Sequence, residues 1–263
     1  MRSADELAVF EGVRLGSERA FRRLVAAHDA PMLRLAGLYA HDAAGRAELV
    51  RWTWSTALHG LGMFTWHTSF RAWLFGILAA HGRARPAPPT APAPPAAPPS
   101  VTVPPAAGPP VTAVGDVGWA GLAWSPRWSP DGWRAVERAL ATLPVAQREV
   151  VHLRDVEGWP AAEADAALGV TADEGGRLLA QGRDSLRAAV RAWLGLPPPG
   201  PADVQRETDG VVELLGLLAP AAPAAPDAST GPASDHLVGL FRDWRASRRI
   251  PVWRRLRGAY LAR

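Results

Sequence analysis

Between Pro86 and Pro110 the chain carries twelve prolines in twenty-five residues, mixed mainly with alanine. Proline lacks a backbone donor and fixes its own φ, so this stretch cannot be a helix or a central strand. It is expected to be extended and disordered, spanning roughly 75 Å at about 3 Å per residue. That constraint divides the 263-residue chain. Whatever folds must fold on either side of residues 85–131, which read as a tether. Trp119, Trp124 and Trp128 near its end are unusual for a pure linker, and docking and no role are equally open for them.

Both flanks read as helical. In residues 1–84 apolar side chains recur at three and four residues: Leu7, Phe10, Leu15, Phe21, Leu24 and Val25, then Met32, Leu33 and Leu35. Leu49, Trp52 and Leu58 follow, and later Phe70, Trp73, Leu74, Ile77 and Leu78. Each stripe buries one helix face, and about four such helices pack naturally as a bundle. The expected class is all-α: two small helical domains joined by the proline/alanine linker.

The second domain, 132–196, opens with a helix carrying Trp133, Val136, Leu140 and Leu143. Three more helical patterns then follow with almost no spacer. One runs from about Val145 to Val156 and ends at Gly158. Pro160 opens the next, since a first turn has no use for its missing N–H. That helix stops at Gly169, and Thr171 is placed to cap the third. A helix, a short glycine-containing turn and a second helix form the arrangement that sets a recognition helix in the DNA major groove.

Residues 197–263 hold an apolar helix, VVELLGLL, an Ala/Pro loop and a basic tail with Arg242, Arg245, Arg248, Arg249, Arg254, Arg255 and Arg257. The tail reads either as a solvated run or as phosphate contacts.

Composition narrows the function classes. Cysteine is absent, which excludes disulfides and thiolate metal sites. The basic residues are all arginine, as in a high-GC coding bias, and the net charge of +4 permits nucleic-acid binding without requiring it. The start, MRSADELAVFEG, has no signal-peptide pattern, and no apolar run is long enough for a membrane span. A cytoplasmic location is expected. His28, His41, His59 and His67 form no HExxH pair, and no glycine-rich loop follows a strand. No catalysis, cofactor or metal is expected.

Two blocks resemble the extracytoplasmic-function sigma factors of bacterial RNA polymerase. PVAQREVVHLRDVEGWPAAEADAALGVT resembles the family's −35-reading domain. FRRLVAAHDAPMLRLAGLY, AELVRWTWSTALHGLGMF and SFRAWLFGIL resemble the domain that binds polymerase and opens the −10 element. The resemblance implies core RNA polymerase and promoter DNA as partners, with an anti-sigma factor as a further one. It places polymerase contacts at Glu48, Arg51 and Trp52. It places DNA contacts at Thr171, Arg177, Gln181, Arg183 and Arg187 of the third helix, and at Arg71, Arg83 and Arg85 near the −10 face. Arginine grips phosphate or the guanine edge, and glutamine reads adenine. Of the aromatics, Phe70 and Trp73 read as core, and Trp66 is open to either role.

The chain also departs from the family. Arg51 and Trp52 replace a Gln-Glu pair, and Gly76 and Ala80 replace a basic residue and an asparagine. Asp173 and Glu174 stand where phosphate would lie. Gly175, Gly176 and Gly182 each weaken the third helix by about 1 kcal/mol relative to alanine. These departures favour an alternative: a sigma-like adaptor that binds polymerase or a regulator without initiating transcription. The C-terminal extension resembles a small zinc-finger module of this family, with His236 retained but Leu240 and Asp243 in place of cysteines. One His and one Asp do not make a tetrahedral site, so a metal-free, weakly folded remnant that regulates the DNA-binding domain is expected.

Overall fold

A computed structural model describes residues 4–85, 130–194, 200–218 and 232–248. The proline-rich linker, Trp119, Trp124, Trp128 and the arginines beyond Arg248 lie outside the described residues. The fold is all-α, with no strand among the described residues. The helices are α1 (Ala4–Arg14), α2 (Glu18–Ala36), α3 (Ala43–Gly60), α4 (Phe70–Ala84), α5 (Pro130–Thr142), α6 (Val145–Val151), α7 (Ala161–Leu168), α8 (Ala172–Leu194), α9 (Pro201–Leu218) and α10 (Pro232–Arg248). They form two units. One contains α1–α4 and α10, the other α5–α9.

In the first unit, local chemistry sets the helix starts. Ser17 caps α2 by accepting from the Ala20 N–H at 3.3 Å, and Asp42 caps α3 by accepting from Gly45 at 2.5 Å. Ser69 accepts from the Ala72 N–H at 3.0 Å and so caps α4. Each bond satisfies one orphan donor of a first turn. The core is formed by Phe10, Val13, Phe21, Met32, Leu35, Leu49, Trp54, Phe70, Leu74, Phe75 and Leu78. Two expected stripe positions fall outside it. Leu15 is 86% exposed because α1 ends at Arg14 and Gly16 (φ 85°) turns the chain. Val13 takes the buried place. On α3 the buried tryptophan is Trp54, and Trp52 is 57% exposed.

Gly82 of α4 makes a close approach. A methyl group there would lie 2.5 Å from Cγ and 2.6 Å from Cε2 of the Tyr39 ring. Alanine improves helix propensity by about 1 kcal/mol, but overpacking against a stiff ring costs about 1–3 kcal/mol. Gly82→Ala is expected to lower stability by about 1 kcal/mol, read from the urea midpoint.

Packing of the second unit explains two of the glycines that read as weakening. A methyl on Gly182 would sit 2.7 Å from Val151 Cγ2, and one on Gly175 would sit 2.9 Å from Asp165 Cγ. Both glycines let α8 approach its neighbours, Gly182 at α6 and Gly175 at α7. Gly176 has open space and no such role. Helical backbone continues from α6 through His152–Val156 as a π turn, closed by Glu157 N–H to His152 C=O at 2.9 Å. Gly158 (φ 66°) then ends it.

The C-terminal segment does not form one module. α9 packs on α8 and on the π turn, burying Val211, Leu214 and Leu215. α10 packs instead on α2 and α3 of the first unit, burying Leu237, Val238, Phe241 and Trp244. The two apolar stripes of the segment are thus buried against different units.

Candidate functional site

The helix-turn-helix segment is α7, residues 169–171 and α8. Gly169 holds the left-handed conformation that ends α7 (φ 69°, ψ 32°), which glycine adopts without a steric penalty. The Thr171 hydroxyl accepts from the Glu174 N–H at 3.3 Å and caps α8. Pro160 stands one place earlier than expected, as the N-cap of α7.

The five candidate DNA-contact residues on α8 have different surroundings. Thr171 and Arg177 are exposed. Gln181 is also exposed, but its Oε1 accepts from Gln147 Nε2 at 3.2 Å. Arg183 grips the buried Asp155 of the π turn with two bonds, at 2.9 and 2.5 Å. That pair raises the guanidinium pKa further, through the hydrogen bond to Asp155. Arg187 donates to Thr208 Oγ1 of α9 at 2.9 Å and pairs with Asp184 at 2.9 Å. Arg183 and Arg187 thus hold the unit together. The exposed charges on the first half of α8 are Asp173, Glu174 and Arg177. Two carboxylates against one arginine make a weak phosphate-binding face.

Arg71, Arg83 and Arg85 do not form one patch. Arg71 lies in the first turn of α4, Arg83 in the last, and Arg85 just beyond it, so the first two are about 18 Å apart along the axis. Trp66 belongs to an aromatic cluster with Phe10 and Phe64, both at 4.9 Å between ring centroids. Phe70 is buried, and Trp73 packs on Phe64 and Phe70.

Glu48, Arg51 and Trp52 share the exposed side of α3. Trp52 meets the His81 ring edge-on at 5.7 Å. The other two border α10. A groove of about 530 Å³ runs between Arg51, Ser55 and His59 of α3 and Asp235, His236 and Asp243 of α10. A second, of about 410 Å³, has Asp29, Glu48, Arg51, His236 and Leu237 in its walls. Burial pushes the Asp29 carboxyl above its usual range. No group of three or more His, Asp or Glu side chains among the described residues is arranged to hold a metal ion.

Sequence reading missed what holds α10. Phe241 stacks on Phe21 with centroids 4.6 Å apart and planes 8° from parallel. Arg242 donates twice to Glu18 of α2, at 2.9 Å each. Arg245 donates to Gly16 C=O at 3.4 Å and Arg248 to Arg14 C=O at 3.5 Å, satisfying carbonyls where α1 ends. Arg248 also lies over the Trp244 ring at 4.9 Å. These arginines of the basic tail thus donate within the first unit, Arg242 and Arg248 while still exposed.

Hydrogen bonds from Arg242, then from Arg22, hold the Glu18 carboxyl at about 2 against an ordinary 4.5. A depressed carboxyl stabilises the folded state fully above the unfolded value and loses that contribution as pH falls through the folded one. Docking of α10 should be pH-independent above about 4.5 on this account and weaken as pH approaches 2. Amide exchange of residues 232–248 against pH tests this, and Glu18→Gln should flatten the profile.

No helix among the described residues is long and apolar enough to cross a membrane. Compared with known proteins, the chain matches no family model and no curated protein.

Proposed function

We propose that this chain is a sigma-factor-like transcription factor that binds core RNA polymerase through its N-terminal unit and DNA through α8. It works without catalysis of its own, in the cytoplasm. The observation that supports this reading is the helix-turn-helix segment, with its glycine stop at Gly169, Thr171 cap and close α7–α8 approach at Gly175, following a helical bundle in the order that the family resemblance implies. Within it, Thr171, Arg177 and Gln181 are the DNA-facing residues, and Arg183 and Arg187 support them from inside the unit.

A second reading is favoured by the exposed carboxylates of Asp173 and Glu174 at the start of α8: an adaptor that engages polymerase without selecting a promoter. Co-elution of the full chain with bacterial core RNA polymerase at physiological salt tests the shared part. Stoichiometric complex at micromolar concentrations is expected, and its absence overturns both readings. Duplex binding then separates them. An initiation factor shows a sequence preference, whereas an adaptor binds weakly, without preference and with a steep loss in salt.

A further inference from the structure

We propose that the groove between α3 and α10 is a binding site for a small zwitterion: a free amino acid with an apolar or aromatic side chain. Binding requires neither polymerase nor DNA, so it does not rest on the reading above.

The two walls carry opposite charges that do not meet. Arg51 of α3 and Asp243 of α10 line one cavity of about 530 Å³, a volume in the range that holds small molecules. Neither side chain makes a hydrogen bond or ion pair among the described residues. The other polar groups there are partly committed. Asp235 has Arg22 at 3.9 Å, and His59 Nδ1 donates to the Ser55 C=O at 2.7 Å. Opposite charges attract and pair directly where the backbone lets them; here the two helices hold them apart. A molecule that carries both signs satisfies both walls at once. The carboxylate of an amino acid takes parallel bonds from the Arg51 guanidinium, and its ammonium donates to the Asp243 carboxylate.

Gly239 supports the site independently. It lines the cavity from the middle of α10, where glycine favours the unfolded segment. A methyl at that position would meet no atom within 4 Å. Packing within the protein therefore does not require this glycine, and a longer side chain would stand in the groove. Glycine is the residue that lets backbone approach a ligand closely. Asp243 lies four residues on, on the same helix face, so the open space adjoins the acidic wall. The ligand's side chain also has a place. The cavity shares Arg51, Ser55, His59 and Leu240 with a second one of about 330 Å³, which Trp52 borders. Trp52 is 57% exposed and offers an indole face to an apolar or aromatic group.

The test titrates the full chain, by ligand-observed NMR, with three forms of one probe. They are L-phenylalanine, its N-acetyl form, which has no ammonium, and its methyl ester, which has no carboxylate. L-Phenylalanine should bind with a Kd of about 1 mM or tighter, and each blocked form at least about tenfold more weakly. Arg51→Gln should level the free acid with the ester, and Asp243→Asn the free amine with the N-acetyl form, because each removes the group that tells them apart. Gly239→Leu should abolish binding and leave α10 protected from amide exchange, since leucine strengthens the helix while its side chain fills the groove. The proposal falls if L-phenylalanine, L-leucine and L-tryptophan all fail to bind at about 10 mM. It falls equally if the blocked forms bind as well as L-phenylalanine, or if a folded Gly239→Leu protein binds as wild type does. Should Gly239→Leu open α10 to exchange, the Arg51 and Asp243 variants, both at exposed positions, decide alone: unchanged discrimination between the three forms overturns the site.

Discussion

Replacing Arg191 with methionine should destabilise the α5–α9 unit by about 3–5 kcal/mol, the cost of leaving a buried charge without its partner. Arg191 of α8 bonds Glu207 of α9, and both side chains are buried. The second carboxylate oxygen of Glu207, Oε2, has no hydrogen-bond partner, so nothing takes over when the guanidinium is removed. A domain of ordinary stability has roughly 5–15 kcal/mol in total, so the variant is expected to be largely or wholly unfolded at 37 °C. The desolvation cost of the pair gives the control. Arg191→Met with Glu207→Leu removes both charges and should recover most of the loss, because buried ion pairs are often no better than apolar packing. Urea unfolding of the two variants measures the difference. Equal stability of the single and double variants would show that Glu207 does not depend on Arg191.

Replacing Arg183 with alanine should cost about 3 kcal/mol, near the low end of that range because the arginine is partly exposed. Its partner, Asp155, is only 2% exposed at the side chain. The consequence bears on how DNA-binding experiments are read. Arg183→Ala will weaken binding by loosening the unit, since the residue spans from α8 to the π turn 28 positions earlier. Arg177→Ala removes an exposed charge and should change stability by no more than about 0.5 kcal/mol. If α8 contacts DNA, Arg177→Ala weakens binding at unchanged thermal midpoint, and Arg183→Ala weakens binding and midpoint together. An Arg183→Ala protein of wild-type stability that still loses DNA would restore Arg183 as a direct contact.

These two arginines show where sequence reading reaches its limit. The helix ends around the turn were legible because their causes are local: Gly158 and Gly169 adopt positive φ, and Thr171 bonds three residues ahead. The apolar stripes of α2 and α4 were legible for the same reason. Roles of arginine were not, because they depend on partners 16, 28 and 224 residues away. A guanidinium aimed at phosphate and one aimed at a buried carboxylate leave the same letter in the chain. Gly175 and Gly182 looked like losses of helix stability, since the atoms that need the space, at Asp165 and Val151, belong to other helices. On α3 the positions of Trp52 and Trp54 were exchanged. A stripe of period 3.6 does not say which of two tryptophans two residues apart faces inward.

The return of α10 to α2 also has a meaning in time. Glu18 and Arg242 are 224 residues apart, and at about 5–20 residues per second a ribosome needs roughly 10–45 s to make what lies between them. Once α2 and α3 have emerged, the groove at Phe21 exists without the helix that fills it until α10 follows. A nascent chain halted before Pro232 should bind the 232–248 peptide, and one carrying α10 beyond the ribosome should not. Each new molecule would then pass through an open stage before it closes, and a partner bound to the chain during synthesis would find a surface that the finished protein conceals.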